Sequence, residues 1–141
     1  MHDDAVLLER RIRRELGERL MPAMYPDLLP MRVTAWEAPG EPVPYDEAVA
    51  ALDVGGRPLD LGVHFGRPWG TTWMRLEVDV PGSWAGDDLE AVIDLGFHPD
   101  SAGFQSEGLV WRDGVPLQGI HPRRTAFALG DRSEEHTSEL Q

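Results

Sequence analysis

The run TTWMRLEVDV, residues 71–80, alternates apolar and polar side chains without a break. Thr72, Met74, Leu76, Val78 and Val80 fall on one side, and Trp73, Arg75, Glu77 and Asp79 on the other. Successive side chains of an extended strand point to opposite faces. The period of two therefore predicts a half-buried strand with Trp73 on its polar, outward face. LEAVIDL (89–95) repeats the pattern through Leu89, Ala91, Ile93 and Leu95. GLVWRDGVPLQGI (108–120) sets Asp113-Gly114 between two short strand-like runs. A two-residue hairpin turn needs positive φ at both positions, which Asp-Gly tolerates, so this segment predicts a hairpin. Met31–Trp36 and Thr125–Leu129 read as further short strands. Short strands spaced about ten residues apart, with Gly and Pro between them, predict an antiparallel β-sandwich or jelly roll.

Helical signals lie before and between these strands. Leu8, Ile12, Leu16 and Leu20 recur every fourth residue, which predicts a helix over residues 4–20 capped by Asp3 or Asp4. Pro22, Pro26 and Pro30 should end it. Residues 1–30 are thus expected to form a helical arm before a β-domain over 31–131. The basic cluster Arg10, Arg11, Arg13 and Arg14 is balanced by Glu9, Glu15 and Glu18, as on a solvated helix face. Tyr45–Leu52 predicts a two-turn helix.

Charge and composition remove several classes. The net charge is −12, which argues against a nucleic-acid or acidic-membrane partner, because phosphate binding needs a basic surface. There is no cysteine, so no disulfide, thiolate metal site or cysteine nucleophile. No apolar run approaches the roughly 18 residues of a membrane span, and the N-terminus does not read as a secretory signal. A cytoplasmic protein is the expectation. The chain has arginines but no lysine and no asparagine, a bias that fits GC-rich bacterial codons.

The residues that could carry chemistry do not assemble into a catalytic motif. None of the histidines at 2, 64, 98, 121 and 136 lies in a zinc-protease spacing. His98-Pro99-Asp100 supplies only two ligands, whereas a catalytic zinc usually takes three. No serine stands in a nucleophile elbow. No catalytic or metal residue is therefore assigned. Trp69, Trp73 and Trp111 lie among polar or glycine-rich residues. An exposed indole can stack on a sugar ring, with Glu107, His121 and Arg123 as polar partners. The plainer reading is that these tryptophans cap the sandwich or form an apolar patch around Trp73 against a neighbouring domain.

The last ten residues, RSEEHTSELQ (132–141), break with the rest in composition. The codons AGA TCG GAA GAG CAC ACG TCT GAA CTC CAG, the read-through of a common sequencing-library adapter, decode to them residue for residue. The natural sequence is then expected to be cut near Asp131, with 132–141 a non-native tail and the β-domain incomplete at its C-terminus.

Four stretches together resemble bacterial glycoside hydrolase family 38, the α-mannosidases: TAWEAPGEPVPYDEAV (34–49), GRPWGTTWMRLEVDVPGSW (66–84), DLGFHPDSAGFQSEGLVW (94–111) and GIHPRR (119–124). The arginine-rich opening helix is similar too. The resemblance covers most of residues 5–129. It implies an N-terminal accessory region containing a galactose-binding-like β-sandwich. It also implies a missing C-terminal catalytic domain that uses one divalent metal, usually zinc, and an aspartate nucleophile in a retaining mechanism. The parent's substrate would be mannose-containing oligosaccharides. The family's metal motif is His-x-Asp-x-x-Trp; here Gly103 stands where the Trp should follow His98 and Asp100, so the metal role is not carried over. No cofactor is expected in the fragment itself. Two other readings stand beside this one: a self-contained sugar-binding module, and a structural fragment that does not fold alone.

Overall fold

A computed structural model describes residues 4–97 and 106–130, together with the backbone of 136–140. The chain forms two compact units, Met1–Pro30 and Met31–Gln141.

The first unit is helical. Helix α1 (Ala5–Glu15) runs into a wider π turn (Leu16–Leu20) and a short helix α2 (Met21–Met24). Asp4 is the N-cap but its side chain makes no capping bond. Pro22 does not end the helical path, as its sequence position suggested. It lies in the first turn of α2, directly after the π turn, and the helical path carries on through it. The path ends at Tyr25 (φ −124°), before Pro26. Leu8, Ile12, Leu16 and Leu20 are exposed, and Arg19 pairs with Glu15 one turn earlier at 3.1 Å.

The second unit holds two antiparallel sheets. The strands are β1 (Arg32–Glu37), β2 (Arg57–Pro58), β3 (Thr72–Val78), β4 (Glu90–Val92), β5 (Gly108–Arg112), β6 (Val115–Ile120), β7 (Ala126–Ala128) and β8 (His136–Leu140). One sheet has the order β2-β1-β3-β8-β5-β6 and the other pairs β4 with β7. Met74, Leu76, Val110 and Ile120 from the larger sheet bury themselves with Ala91, Ile93, Phe127 and Leu129 from the smaller. Each of the larger of these side chains removed from water contributes roughly 1.5–3 kcal/mol. Gln118 Nε2 donates to the Ala126 carbonyl at 2.8 Å, a further tie between the sheets. This is the expected sandwich.

The β5–β6 hairpin turns at Asp113 (φ 53°) and Gly114 (φ 76°), the positive pair that the Asp-Gly signal demands. Strand β4 is shorter than the 89–95 pattern because Asp94 Oδ1 accepts from the Gly96 and Phe97 N–H groups, both at 2.9 Å, and turns the chain.

Helix α3 (Tyr45–Gly55) packs on the other face of the larger sheet. Asp46 and Glu47 lie in its first turn, where acidic groups favour the helix dipole. It outruns the expected 45–52 and stops at Gly56. A Cβ there would collide with the Leu52 carbonyl and approach Thr34 Cγ2 to 2.7 Å. Trp73 is consequently not the outward residue its strand pattern implied. Ala48 and Leu52 of α3 cover it, and it is fully buried. A period of two shows which residues share a face, not whether that face is later covered.

Candidate functional site

The fold brings the candidates Trp73 and Trp111 together. Their ring centroids lie 6.1 Å apart with planes at 42°. Tyr45, the first residue of α3, stacks on Trp111 at 5.3 Å and 29° and meets Trp73 edge-on at 6.2 Å. Trp36 and Val43 pack on the same cluster. Tyr45 carries no sequence signal beyond standing at a helix start, and only the docking of α3 reveals its part here. The predicted apolar surface patch around Trp73 is thus an interior joint between helix and sheet.

The joint is well packed but not fully satisfied. Trp73 Nε1 and Trp111 Nε1 are buried without acceptors. Arg112, the next residue on β5, donates from Nη1 to the Leu129 carbonyl at 3.1 Å. Its Nε and Nη2 are buried without partners. Arg75 reaches from β3 to Asp53 of α3 at 2.8 Å.

The other candidates stand apart. Glu107 is exposed just before β5. His121 and Arg123 form the turn after β6: His121 N–H donates to the Arg124 carbonyl at 3.1 Å, and Arg123 N–H donates to His121 Nδ1 at 3.3 Å. Both features lie at the end of the hairpin away from Asp113-Gly114. Trp111 lies four positions beyond Glu107, about 13 Å of extended chain. Trp111 is therefore not beside Glu107, His121 and Arg123.

Trp69 is the fully exposed tryptophan, with φ 62°. It sits in a tight turn closed by Gly70 N–H to the Arg67 carbonyl at 3.0 Å. The turn is braced on β1: Arg67 Nε lies 3.2 Å from Glu37 Oε1, and its Nη2 donates to the Ala38 carbonyl at 3.1 Å. A bulky residue is rare in this backbone region, where glycine fits without strain.

A shallow, open depression of about 300 Å³ is lined by Val92, Ile93, Asp94, Phe97, Pro122 and Thr125. The Asp94 carboxylate is already engaged by the turn that follows it. Among the described residues no three His, Asp or Glu side chains gather as metal ligands, so they do not fit the divalent metal that the resemblance implies. His98 and Asp100 lie outside the described residues. Among the described residues no helix is long and apolar enough to cross a membrane.

Two antiparallel sheets sharing one core, with a helix on the outer face of the larger, define a jelly-roll-type β-domain. The chain belongs to the α-mannosidase jelly roll domain family, whose model matches residues 29–140. It is similar to human alpha-mannosidase 2C1, at 38% identity over 97 residues, covering 67% of this chain and 8% of the relative. It is also similar to mouse alpha-mannosidase 2C1, at 34% identity over 94 residues, covering 65% and 8%. The match thus spans less than a tenth of the length of these curated relatives.

Proposed function

We propose that residues 31–131 are an accessory jelly roll domain at the N-terminal side of a larger glycoside hydrolase family 38 enzyme of bacterial origin. That enzyme would remove terminal α-linked mannose from glycans in the cytoplasm. Catalysis by the retaining route, with its aspartate nucleophile and its divalent metal, zinc by the resemblance, belongs to the remainder of the parent chain. This remainder is also the domain's partner. Residues 132–141 are a read-through tail, and the chain by itself does not hydrolyse mannosides.

The observation that carries this reading is the fate of the aromatic candidates. Trp73 is spent wholly, and Trp111 largely, on seating α3 against the sheet, which is scaffold work. The family match and the small share of the relatives that it spans support the same reading. Sequencing the source DNA past codon 131 tests it. An open frame that leaves the RSEEHTSELQ codons behind and enters a His-x-Asp-x-x-Trp motif is the expected result. A natural stop codon near that point would overturn it.

One observation favours a second reading. Trp69 holds a fully exposed ring on a braced, left-handed turn, an arrangement suited to stacking on a sugar. Titration with methyl α-mannoside should blue-shift Trp69 emission if the domain binds mannose-containing oligosaccharides. A W69F variant that shows the same blue shift would exclude that residue.

A further inference from the structure

The loop between β2 and β3, residues 59–71, makes two tight turns. In the first, Val63 N–H donates to the Asp60 carbonyl at 3.3 Å, and in the second, Gly70 N–H donates to the Arg67 carbonyl at 3.0 Å. The third residue of each turn takes a positive φ, Gly62 at 81° and Trp69 at 62°. Glycine is the residue that such a position favours. The loop thus uses glycine in one turn and keeps a tryptophan in the other. That ring is fully exposed and gives the domain no burial. Backbone strain with no return inside the fold points to a function outside it.

The loop is pinned along its length. Leu59 N–H donates to the Val33 carbonyl at 2.9 Å, and Leu59 and Phe65 pack on the shared core. Arg67 ties the second turn to Glu37 and Ala38. The same loop leaves Leu61 (64% exposed) and Val63 (54% exposed) in water with Trp69. Its two charges, Asp60 and Arg67, cancel, in a chain of net charge −12. A pinned, neutral, apolar loop is pre-organised for contact, because little freedom is lost when it is covered.

Size and charge choose the partner. A tryptophan buries about 150–250 Å², so Trp69, Leu61 and Val63 together fall short of the roughly 800 Å² per partner of a separate protein complex. A second copy would also set −12 against −12. Contacts between domains of one chain can be smaller, from about 600 Å² over both sides, because the tether supplies a high effective concentration. More than nine-tenths of the length of the curated relatives lies outside the match. A stacked sugar would use the indole alone and leave Leu61 and Val63 without a role. We infer that this loop is the docking surface for the remainder of the parent chain, with Trp69 as the anchor that enters an apolar, weakly charged pocket there. The inference rests on the reading of this domain as part of a larger enzyme.

Amide hydrogen exchange tests it, on the product of the uninterrupted source gene beside the 141-residue chain. Amides of residues 61–67 should exchange about tenfold more slowly in the longer product. W69G in the longer product should return them to the rate of the short chain. Equal exchange in the two products, or protection that survives W69G, would overturn the inference. Methyl α-mannoside that protects 61–67 in the short chain, with no protection in the longer product until the sugar is added, would make the loop a sugar site and overturn it too. The source DNA separates this from the reading beneath it. A natural frame that stops near codon 131 removes the parent and the contact together. A frame that enters the catalytic motif, with exchange at 61–67 unchanged, overturns the contact alone.

Discussion

Trp73 and Trp111 stand on strands that do not pair with each other, yet their rings lie 6.1 Å apart. Tyr45 bridges them from the helix above. These contacts give α3 its place on the sheet and tell the tryptophans of this domain apart by the work each does.

Trp73 and Trp69 should respond oppositely to truncation. W73A removes a fully buried ring from the helix–sheet joint and is expected to cost about 3–5 kcal/mol. W69G removes a fully exposed ring and relieves a left-handed backbone, for a gain of up to about 1 kcal/mol. Urea melts of both variants check this. A W69G loss comparable to that of W73A would mean that the exposed turn is structural.

Gly56 and Gly114 should resist alanine for different reasons. At Gly56 a Cβ meets the Leu52 carbonyl and Thr34, so G56A is expected to cost more than about 2 kcal/mol, as overpacking does. At Gly114 the space is open enough, with Tyr45 Cε1 at 3.6 Å, and the strain is in φ alone. G114A should cost about 1–2 kcal/mol. Chemical denaturation ranks the two.

Arg112 should be replaceable. Two of its buried donors lack partners, and an unpaired buried polar group is a net cost. R112M gives up the bond to the Leu129 carbonyl but sheds those donors. Its stability should lie within about 1 kcal/mol of the parent or above it. A loss beyond about 3 kcal/mol would show that the guanidinium has an acceptor in solution.

Asp79 should titrate below the ordinary carboxylate range. Arg32 Nη1 donates to its Oδ2 at 2.7 Å, and that hydrogen bond, then the positive charge, holds the carboxylate ionised. A lowered folded pKa means that the pair's contribution is present above the unfolded value and is lost as pH falls through the folded one. The pair is at the surface, so the shift should shrink in high salt. Carboxyl-carbon NMR titration at low and high ionic strength reads both effects. An Asp79 midpoint unmoved by R32Q would contradict them.

Local rules made much of the sandwich readable and stopped where tertiary contacts decide. Asp113-Gly114 announced its hairpin because the turn's dihedrals exclude most other pairs. Leu8 to Leu20 announced a helix by spacing alone. The strand over 72–78 was legible, but the burial of Trp73 was not, since that depends on α3 arriving from elsewhere in the chain. Strand β2 at Arg57–Pro58 was hidden because two residues carry no period and proline is tolerated there only because the strand is at the sheet's edge. The chemistry of the six candidate site residues was legible, but the separation of Trp73 and Trp111 from Glu107, His121 and Arg123 is a matter of topology. Glu107 and His121 lie at one end of a hairpin whose other end is near Trp111.

The central claim is that this chain is the accessory part of a larger α-mannosidase and has no hydrolytic activity of its own. The direct measurement compares release of 4-nitrophenol from 4-nitrophenyl α-mannoside by this chain and by the product of the uninterrupted source gene, with and without added zinc. The account predicts no release by the 141-residue chain under either condition, and metal-dependent release by the longer product. Turnover by this chain alone, or a longer product inactive with every divalent metal supplied, would contradict it.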